Sequence, residues 1–147
     1  IKRVQKYIGN EPFMLTYGDG VSDVNLQELL AFHKKKGKVA TITMVNLTQQ
    51  KGVLDVDKEG IIHSFREKEE KDGEVINGGF MVLEPEIFRY LQDDRTILEQ
   101  STMQALASEG KLAGYYHPGF WQCMDTQREK KLLEELWASG KAPWKRW

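Results

Sequence analysis

Phe13-Met-Leu-Thr-Tyr-Gly-Asp-Gly-Val-Ser-Asp23 is the stretch on which the fold turns. It opens on an apolar run and reaches Thr16 and Tyr17 without a charge, as a strand buried on both faces of a parallel sheet would. The run stops at Gly18-Asp19-Gly20, and a helix-type pattern follows over residues 25–37. Strand, glycine-flanked acid and helix place Asp19 at the carboxyl end of a strand, the edge at which open α/β sheets bind ligands. The two glycines allow a sharp turn and close approach, and a carboxylate there suits a hard divalent cation. The plain alternative is a tight turn whose Asp bonds its own backbone.

Outward from this stretch, Ser22 or Asp23 is expected to cap the following helix. That helix carries Val24, Leu26, Leu29, Leu30, Phe32 and His33 as a stripe, and ends on Lys34-Lys35-Lys36-Gly37. Residues 39–45 are rich in β-branched side chains and predict a second strand, so helix and strands form a βαβ unit. Residues 52–57 and 61–65 alternate like a hairpin with one wet face. The run Arg66-Glu67-Lys68-Glu69-Glu70-Lys71-Asp72 has the composition of a solvated loop.

Ile76-Asn77-Gly78-Gly79-Phe80 starts another strand, and two glycines in a strand mark a place where backbone or ligand comes close. Pro85 suits the first turn of a helix through Ile87, Phe88 and Leu91. A longer helix is expected over residues 97–108, closed by Gly110, and a strand over 112–116. Thr126 is placed to cap a final helix over 127–138 with Leu132, Leu133, Leu136 and Trp137 at helical spacing. Residues 1–10 predict a short helical or loop approach.

A chain of 147 residues is long enough for one domain with a real core, and no linker or repeat divides residues 1–147. Lys plus Arg number 21 against 22 Asp plus Glu, which speaks against a nucleic-acid partner or a polybasic membrane patch. No apolar run has the length of a membrane span, and a single cysteine makes the reducing cytoplasm the default compartment. The start at Ile1-Lys-Arg-Val, without Met, suggests a piece of something longer.

Three places could carry chemistry. Asp19 and Asp125 each follow an apolar segment at a turn before a capped helix. Were their strands parallel neighbours, the two carboxylates would share one edge and suit a magnesium ion (Mg2+), which takes one or two carboxylates with phosphate oxygens and water. Glu67-Lys68 offers an acceptor for sugar hydroxyls and a point charge for phosphate. Together these predict a phosphorylated sugar and a metal. His33, His63 and His117 lack ligand spacing with Cys123, which is simplest as a small buried hydrophobe.

Residues 15–23, 76–80, 119–126 and 131–137 resemble the glucose-1-phosphate cytidylyltransferases, a branch of the sugar-nucleotide pyrophosphorylases (nucleotidyltransferases). Trp121-Gln-Cys-Met-Asp-Thr126 is the most branch-specific of these strings. The resemblance implies an α/β fold with a partial Rossmann-like, mostly parallel mixed sheet of the nucleotide-diphospho-sugar transferase type. It implies the reaction of CTP with α-D-glucose 1-phosphate to CDP-glucose and pyrophosphate, with Mg2+. Asp19 and Asp125 match the metal-binding aspartates. Lys68 matches the lysine on the sugar phosphate, the residue expected to serve catalysis, and Glu67 the acid on the sugar hydroxyls. Asn77 and Gly78 match the strand start along the glucose, with Tyr17 and Trp121 lining the pocket.

Two departures accompany the resemblance. The family's Gly-Gly-x-Gly-Thr-Arg loop and its Pro-Lys-Pro occur nowhere in the sequence, so the likeness is to the later portion of the enzyme, without the nucleotide loop. Where the family has Pro after Glu-Lys, this chain has Glu69. The expectation is a truncated nucleotidyltransferase domain, inactive alone. A non-catalytic sugar-phosphate-binding or oligomerisation module on the same fold is the alternative, and a metal-dependent glycosyltransferase a third reading. Sugar phosphate and nucleotide are the expected partners. A homo-oligomer is expected too, through an open edge at residues 13–17 or the Trp144 and Trp147 tail.

Overall fold

The computed structural model describes residues 1–46, 53–56, 62–66 and 75–146, with the two inner segments described as backbone only. In chain order the elements are a 3-10 turn (Lys2–Val4), α1 (Gln5–Ile8), β1 (Phe13–Thr16), β2 (Gly20–Ser22), α2 (Leu26–Lys36) and β3 (Ala40–Asn46). Then come β4 (Val53–Val56), β5 (Ile62–Arg66), β6 (Val75–Leu83) and a 3-10 turn (Pro85–Arg89). The rest is a π-helical turn (Leu98–Thr102), α3 (Met103–Ser108), β7 (Leu112–Tyr116), β8 (Trp121–Cys123) and α4 (Gln127–Ala138).

The main sheet has four strands in the order β1-β6-β3-β7. β6 runs antiparallel to both β1 and β3, while β3 and β7 are parallel. Three of the four strands therefore share one direction, and β6 lies against them. The mixed α/β sheet of the sequence analysis is the one observed. The βαβ unit differs in one respect: β1 and β3 are not neighbours, because β6 is inserted between them. A chain segment after residue 74 takes that place, which local periodicity has no means to signal.

One face of the sheet carries the core. Ala40, Met81 and Leu83 from the central strands meet Ile87, Phe88, Leu91, Leu98, Met103 and Leu106 from the turns and α3. Phe13 and Leu15 of β1 pack against the same cluster, with the Phe13 ring stacked 5.6 Å from Phe88. Burying a side chain of this size stabilises the fold by about 1.5–3 kcal/mol. The other face is covered by α2, whose Leu29 and His33 are buried. His33 hydrogen-bonds Thr41 Oγ1 at 2.8 Å and Glu84 Oε1 at 3.1 Å, a structural role.

α2 packs chiefly against β3, β6 and β7. Met14 of β1 is 45% exposed, and burial alternates along the strand. The expectation of a strand buried on both faces is corrected here: β1 is an edge strand that pairs, among the described residues, only with β6. The N-terminal turn adds no paired strand to that edge. It docks on the Pro85 turn instead, with Lys2 Nζ donating to the Phe88 carbonyl at 2.8 Å and Arg3 pairing with Asp94.

Other local expectations need adjustment. Asn25, not Ser22 or Asp23, caps α2, accepting from the backbone N–H groups of Gln27 and Glu28. Ser22 donates to the Phe120 carbonyl and Asp23 engages His117, so both side chains are already committed. The helix expected after Pro85 is a 3-10 turn, and the one over 97–108 divides into the π-helical turn and α3. The hairpin of β4 and β5 forms as antiparallel pairing from Val53↔Arg66 to Val56↔Ile62. Among the described residues no helix is long and apolar enough to cross a membrane.

Candidate active site

The strands that lead to the two aspartates lie on opposite edges of the main sheet, β1 on one side and β7 on the other. The condition under which the two carboxylates would share one sheet edge, parallel neighbouring strands, is therefore not met. What joins the loops that carry the acids is a second, two-stranded sheet. After each edge strand the chain crosses the sheet end, and β2 pairs antiparallel with β8, Gly20 opposite Cys123 and Ser22 opposite Trp121. One rung further, Met124 N–H donates to the Asp19 carbonyl at 2.8 Å. Asp19 thus sits across from the residue that precedes Asp125.

Both aspartates are exposed. Among the described residues the Asp19 carboxylate has no hydrogen-bond partner. Asp125 lies with Cys123 and Glu129, whose ligand atoms are all within 4.8 Å of one another. Glu129 is occupied by the helix end: its Oε2 accepts from the N–H groups of Asp125 and Thr126 at 2.9 and 2.8 Å. With Thr126 Oγ1 accepting from Glu129 N–H, this is a full capping box, as the Thr126 cap had led one to expect. Burial first, then the neighbouring carboxylates of Asp125 and Glu129, push the Cys123 thiol up to about 11. It stays a protonated thiol near neutrality, and it is partly buried where a small buried hydrophobe was expected. The hard oxygens of Asp19 and Asp125 are the donor set that fits a magnesium ion; the thiol is not.

Beside the acids, the start of β6 forms the other wall. The register of β3 against β6 shifts between Ile42 and Met44, so Gly78 to Phe80 bulge opposite Thr43. Gly79 has φ +79°, and a Cβ there would lie 2.7 Å from Tyr17 Cδ2. A Cβ on Gly78 would lie 3.0 Å from Val45 Cγ1 and 3.3 Å from the Thr43 carbonyl. Gly79 is called for by both its positive φ and the close approach of Tyr17, while a side chain at Gly78 would oblige its neighbours to give by a few tenths of an ångström. Trp121 Nε1–H donates to the Gly78 carbonyl at 2.7 Å, tying β8 to β6. Asn77 Nδ2–H donates to the Tyr17 hydroxyl at 3.1 Å.

The sequence-predicted residues Tyr17, Asp19, Asn77, Gly78, Trp121 and Asp125 therefore come from three separate stretches to one end of the molecule. Glu67 and Lys68, with Glu69, lie outside the described residues. Two contributors had no sequence signal of their own. Glu99 of the π-helical turn accepts a hydrogen bond from the Tyr17 hydroxyl. His117, buried, holds Asp23 at 2.9 Å. Arg146 donates to the Asp23 carbonyl at 2.9 Å, and Trp144 stacks on Phe120 at 5.4 Å. The tail expected to offer Trp144 to a partner thus folds back on its own site; Trp147 lies outside the described residues.

These pairings build a mixed α/β sheet with the acid-bearing loops and the glycine bulge at one end. Residues 1–136 match the Nucleotidyl transferase family, and the chain belongs to it. It is 47% identical over 148 residues to glucose-1-phosphate cytidylyltransferase of Salmonella typhimurium, and equally to that of Salmonella typhi. Each match covers 100% of this chain and 57% of the relative, so the chain spans little more than half their length. Among solved structures, HddC from Yersinia pseudotuberculosis superposes with a TM-score of 0.67 at 18% identity, over 92% of this chain and 60% of that one.

Proposed function

We propose that the chain is the sugar-phosphate and metal-binding portion of a glucose-1-phosphate cytidylyltransferase. The observation that carries this reading is the β2–β8 pairing, which sets Asp19 across from the residue before Asp125 and puts Trp121 on the glycine bulge. The identity to the Salmonella enzymes over the whole chain supports the choice of cytidylyl transfer to glucose 1-phosphate.

In the proposed reaction an oxygen of the sugar phosphate attacks the α-phosphorus of CTP in line. The bond to the β-phosphate breaks, and pyrophosphate leaves. No side chain becomes covalently attached, so the chain contributes positioning and charge neutralisation. Asp19 and Asp125 would hold Mg2+, which supplies charge neutralisation on the phosphates. Lys68 contacts the sugar phosphate as a point charge, and Glu67 accepts from the sugar hydroxyls. Asn77 and the Gly78 backbone lie along the glucose, with Tyr17 and Trp121 beside it.

Because the sequence holds no Gly-Gly-x-Gly-Thr-Arg loop, the chain by itself lacks the family's grip on the nucleotide and is expected not to turn over. Calorimetric titration of glucose 1-phosphate into the purified chain, with Lys68→Ala as control, tests the sugar-phosphate reading. Binding that the substitution abolishes supports it, and no binding by the parent chain overturns it. A pyrophosphate-release assay with CTP should stay at background; clear turnover would overturn the inactivity.

A further inference from the structure

Glu99 lies on the π-helical turn, far in sequence from every residue assigned above, yet its carboxylate ends a hydrogen-bond chain that runs into the pocket wall. Tyr17 donates its hydroxyl hydrogen to Glu99 Oε1. The Tyr17 oxygen then accepts from Asn77 Nδ2–H at 3.1 Å. Asn77 Oδ1 in turn accepts from the backbone N–H of Gly79 at 2.9 Å. Each link joins groups that sequence alone leaves independent.

The direction of this chain is set from its two ends. An ionised carboxylate can only accept, so the phenol must point its single hydrogen at Glu99. The phenol oxygen is then left to accept, which forces the amide nitrogen of Asn77 toward Tyr17. At the other end a backbone N–H can only donate, which forces Oδ1 toward Gly79. An Asn side chain has two near-equivalent orientations, and here both ends demand the same one. The amide keeps one N–H that no described residue takes.

We propose that Glu99 is a positioning residue: by accepting from Tyr17 it fixes the orientation of the Asn77 amide, so that Asn77 meets its ligand as a hydrogen-bond donor. The ligand class is an oxygen acceptor, a sugar hydroxyl or phosphate oxygen. The ligand part rests on the reading of Asn77 as a wall of the sugar pocket. A phenol carries its single hydrogen near neutrality, so the polarity rests on the hydrogen-bond geometry itself.

Without Glu99 the phenol is free to donate to Asn77 instead. The amide is then held in its orientation by the Gly79 N–H alone, and turning over to offer its carbonyl to Tyr17 becomes an available alternative. In that alternative the site exchanges a donor for an acceptor while its shape is retained. Because the links act in series, breaking either of the first two should have the same result as breaking both.

The test uses the whole chain with selective 15N labelling of asparagine, in Glu99→Ala, Glu99→Gln, Tyr17→Phe and the Glu99→Ala/Tyr17→Phe double variant. Backbone spectra establish that each variant is folded. The Asn77 side-chain amide resonances are expected to shift in Glu99→Ala and to be restored by Glu99→Gln, whose carbonyl still accepts. Glucose 1-phosphate binding should weaken about five- to tenfold in either single variant, as for one lost hydrogen bond, and no further in the double. Unmoved Asn77 amide signals in Glu99→Ala, or losses that multiply in the double variant, would overturn the proposal. If the parent chain fails to bind glucose 1-phosphate, the sugar-phosphate reading falls, while the amide signals still decide the role of Glu99.

Discussion

Trp121 reaches across from β8 and places its indole N–H on the carbonyl of Gly78, 2.7 Å away and 43 residues earlier in the chain. Gly78 is buried, so this carbonyl has no ready exchange with water. Trp121→Phe keeps an aromatic ring and leaves the acceptor unpaired. The expected loss is about 1–3 kcal/mol of unfolding free energy, measured by urea denaturation. Wild-type stability in that variant would mean that the contact holds nothing together.

Gly79 tests the bulge from the other side. Its positive φ is one that side chains resist, and a Cβ would run into the Tyr17 ring. Gly79→Ala should cost about 1–3 kcal/mol from the backbone alone, with the ring overlap adding to it. Glycines at positive φ with open space around them, such as Gly140, should cost less, since only the backbone term applies. Equal losses at both positions would remove the role given to Tyr17.

The α4 capping box carries a pH signature. Hydrogen bonds from Thr126 hold the Glu129 carboxyl below its ordinary 4.5. A carboxyl depressed in the folded state contributes stability above its unfolded value, and the contribution is lost as pH falls through the folded one. Helix content should therefore be level down to about pH 4.5 and then drop, with Glu129→Gln flattening that drop. Thr126→Ala should cost about 1 kcal/mol near neutrality. Circular dichroism against pH reads both; an acid transition unchanged in Glu129→Gln would refute the link.

Cys123 should be a slow nucleophile. With its thiol raised to about 11, little thiolate exists near neutrality, and alkylation should accelerate only in strongly alkaline solution. Iodoacetamide labelling followed by mass spectrometry checks this. Asp125→Asn removes one of the carboxylates that raise the thiol and should quicken labelling. An unchanged rate in that variant would detach Cys123 from the acid pair.

The open edge of β1 predicts association. Its backbone groups face outward on an apolar run without Lys or Pro, and Met14 stands exposed beside them. α4 adds Leu132 and Trp137, 42% and 50% exposed. Light scattering over a range of concentration should show species heavier than a monomer, and Met14→Lys on the same strand should reduce them. A monomer at every concentration would refute the expectation.

The parts of the fold legible in the sequence are those whose causes are local. Strand β7 and helix α4 fall where their periodicity and the Thr126 cap put them, because those signals act within a few residues. The insertion of β6 between β1 and β3 was not legible, since it depends on a pairing decided by residues far along the chain. The same holds within the site. Asp19 and Asp125 could be picked out by their turns, but the antiparallel β2–β8 sheet that joins their loops is three residues per strand and too short for a pattern. Glu99 sits in a polar turn that looks like ordinary surface, and only the Tyr17 hydroxyl distinguishes it.

The β2–β8 sheet also governs when the site can exist. Ser22 meets Phe120 across 98 residues, and Arg146 meets Asp23 across 123. During synthesis the Asp19 loop emerges before β8 and must wait, without its β8 partner, until β8 has cleared the ribosome. The β2–β8 pair therefore closes after β1, β6, β3 and β7 have all been made, as the completing step of the acid-bearing end. Helix α2 and the turns can settle before that, and a ribosome halted ahead of residue 121 would carry a partly formed sheet with its acid pair still incomplete.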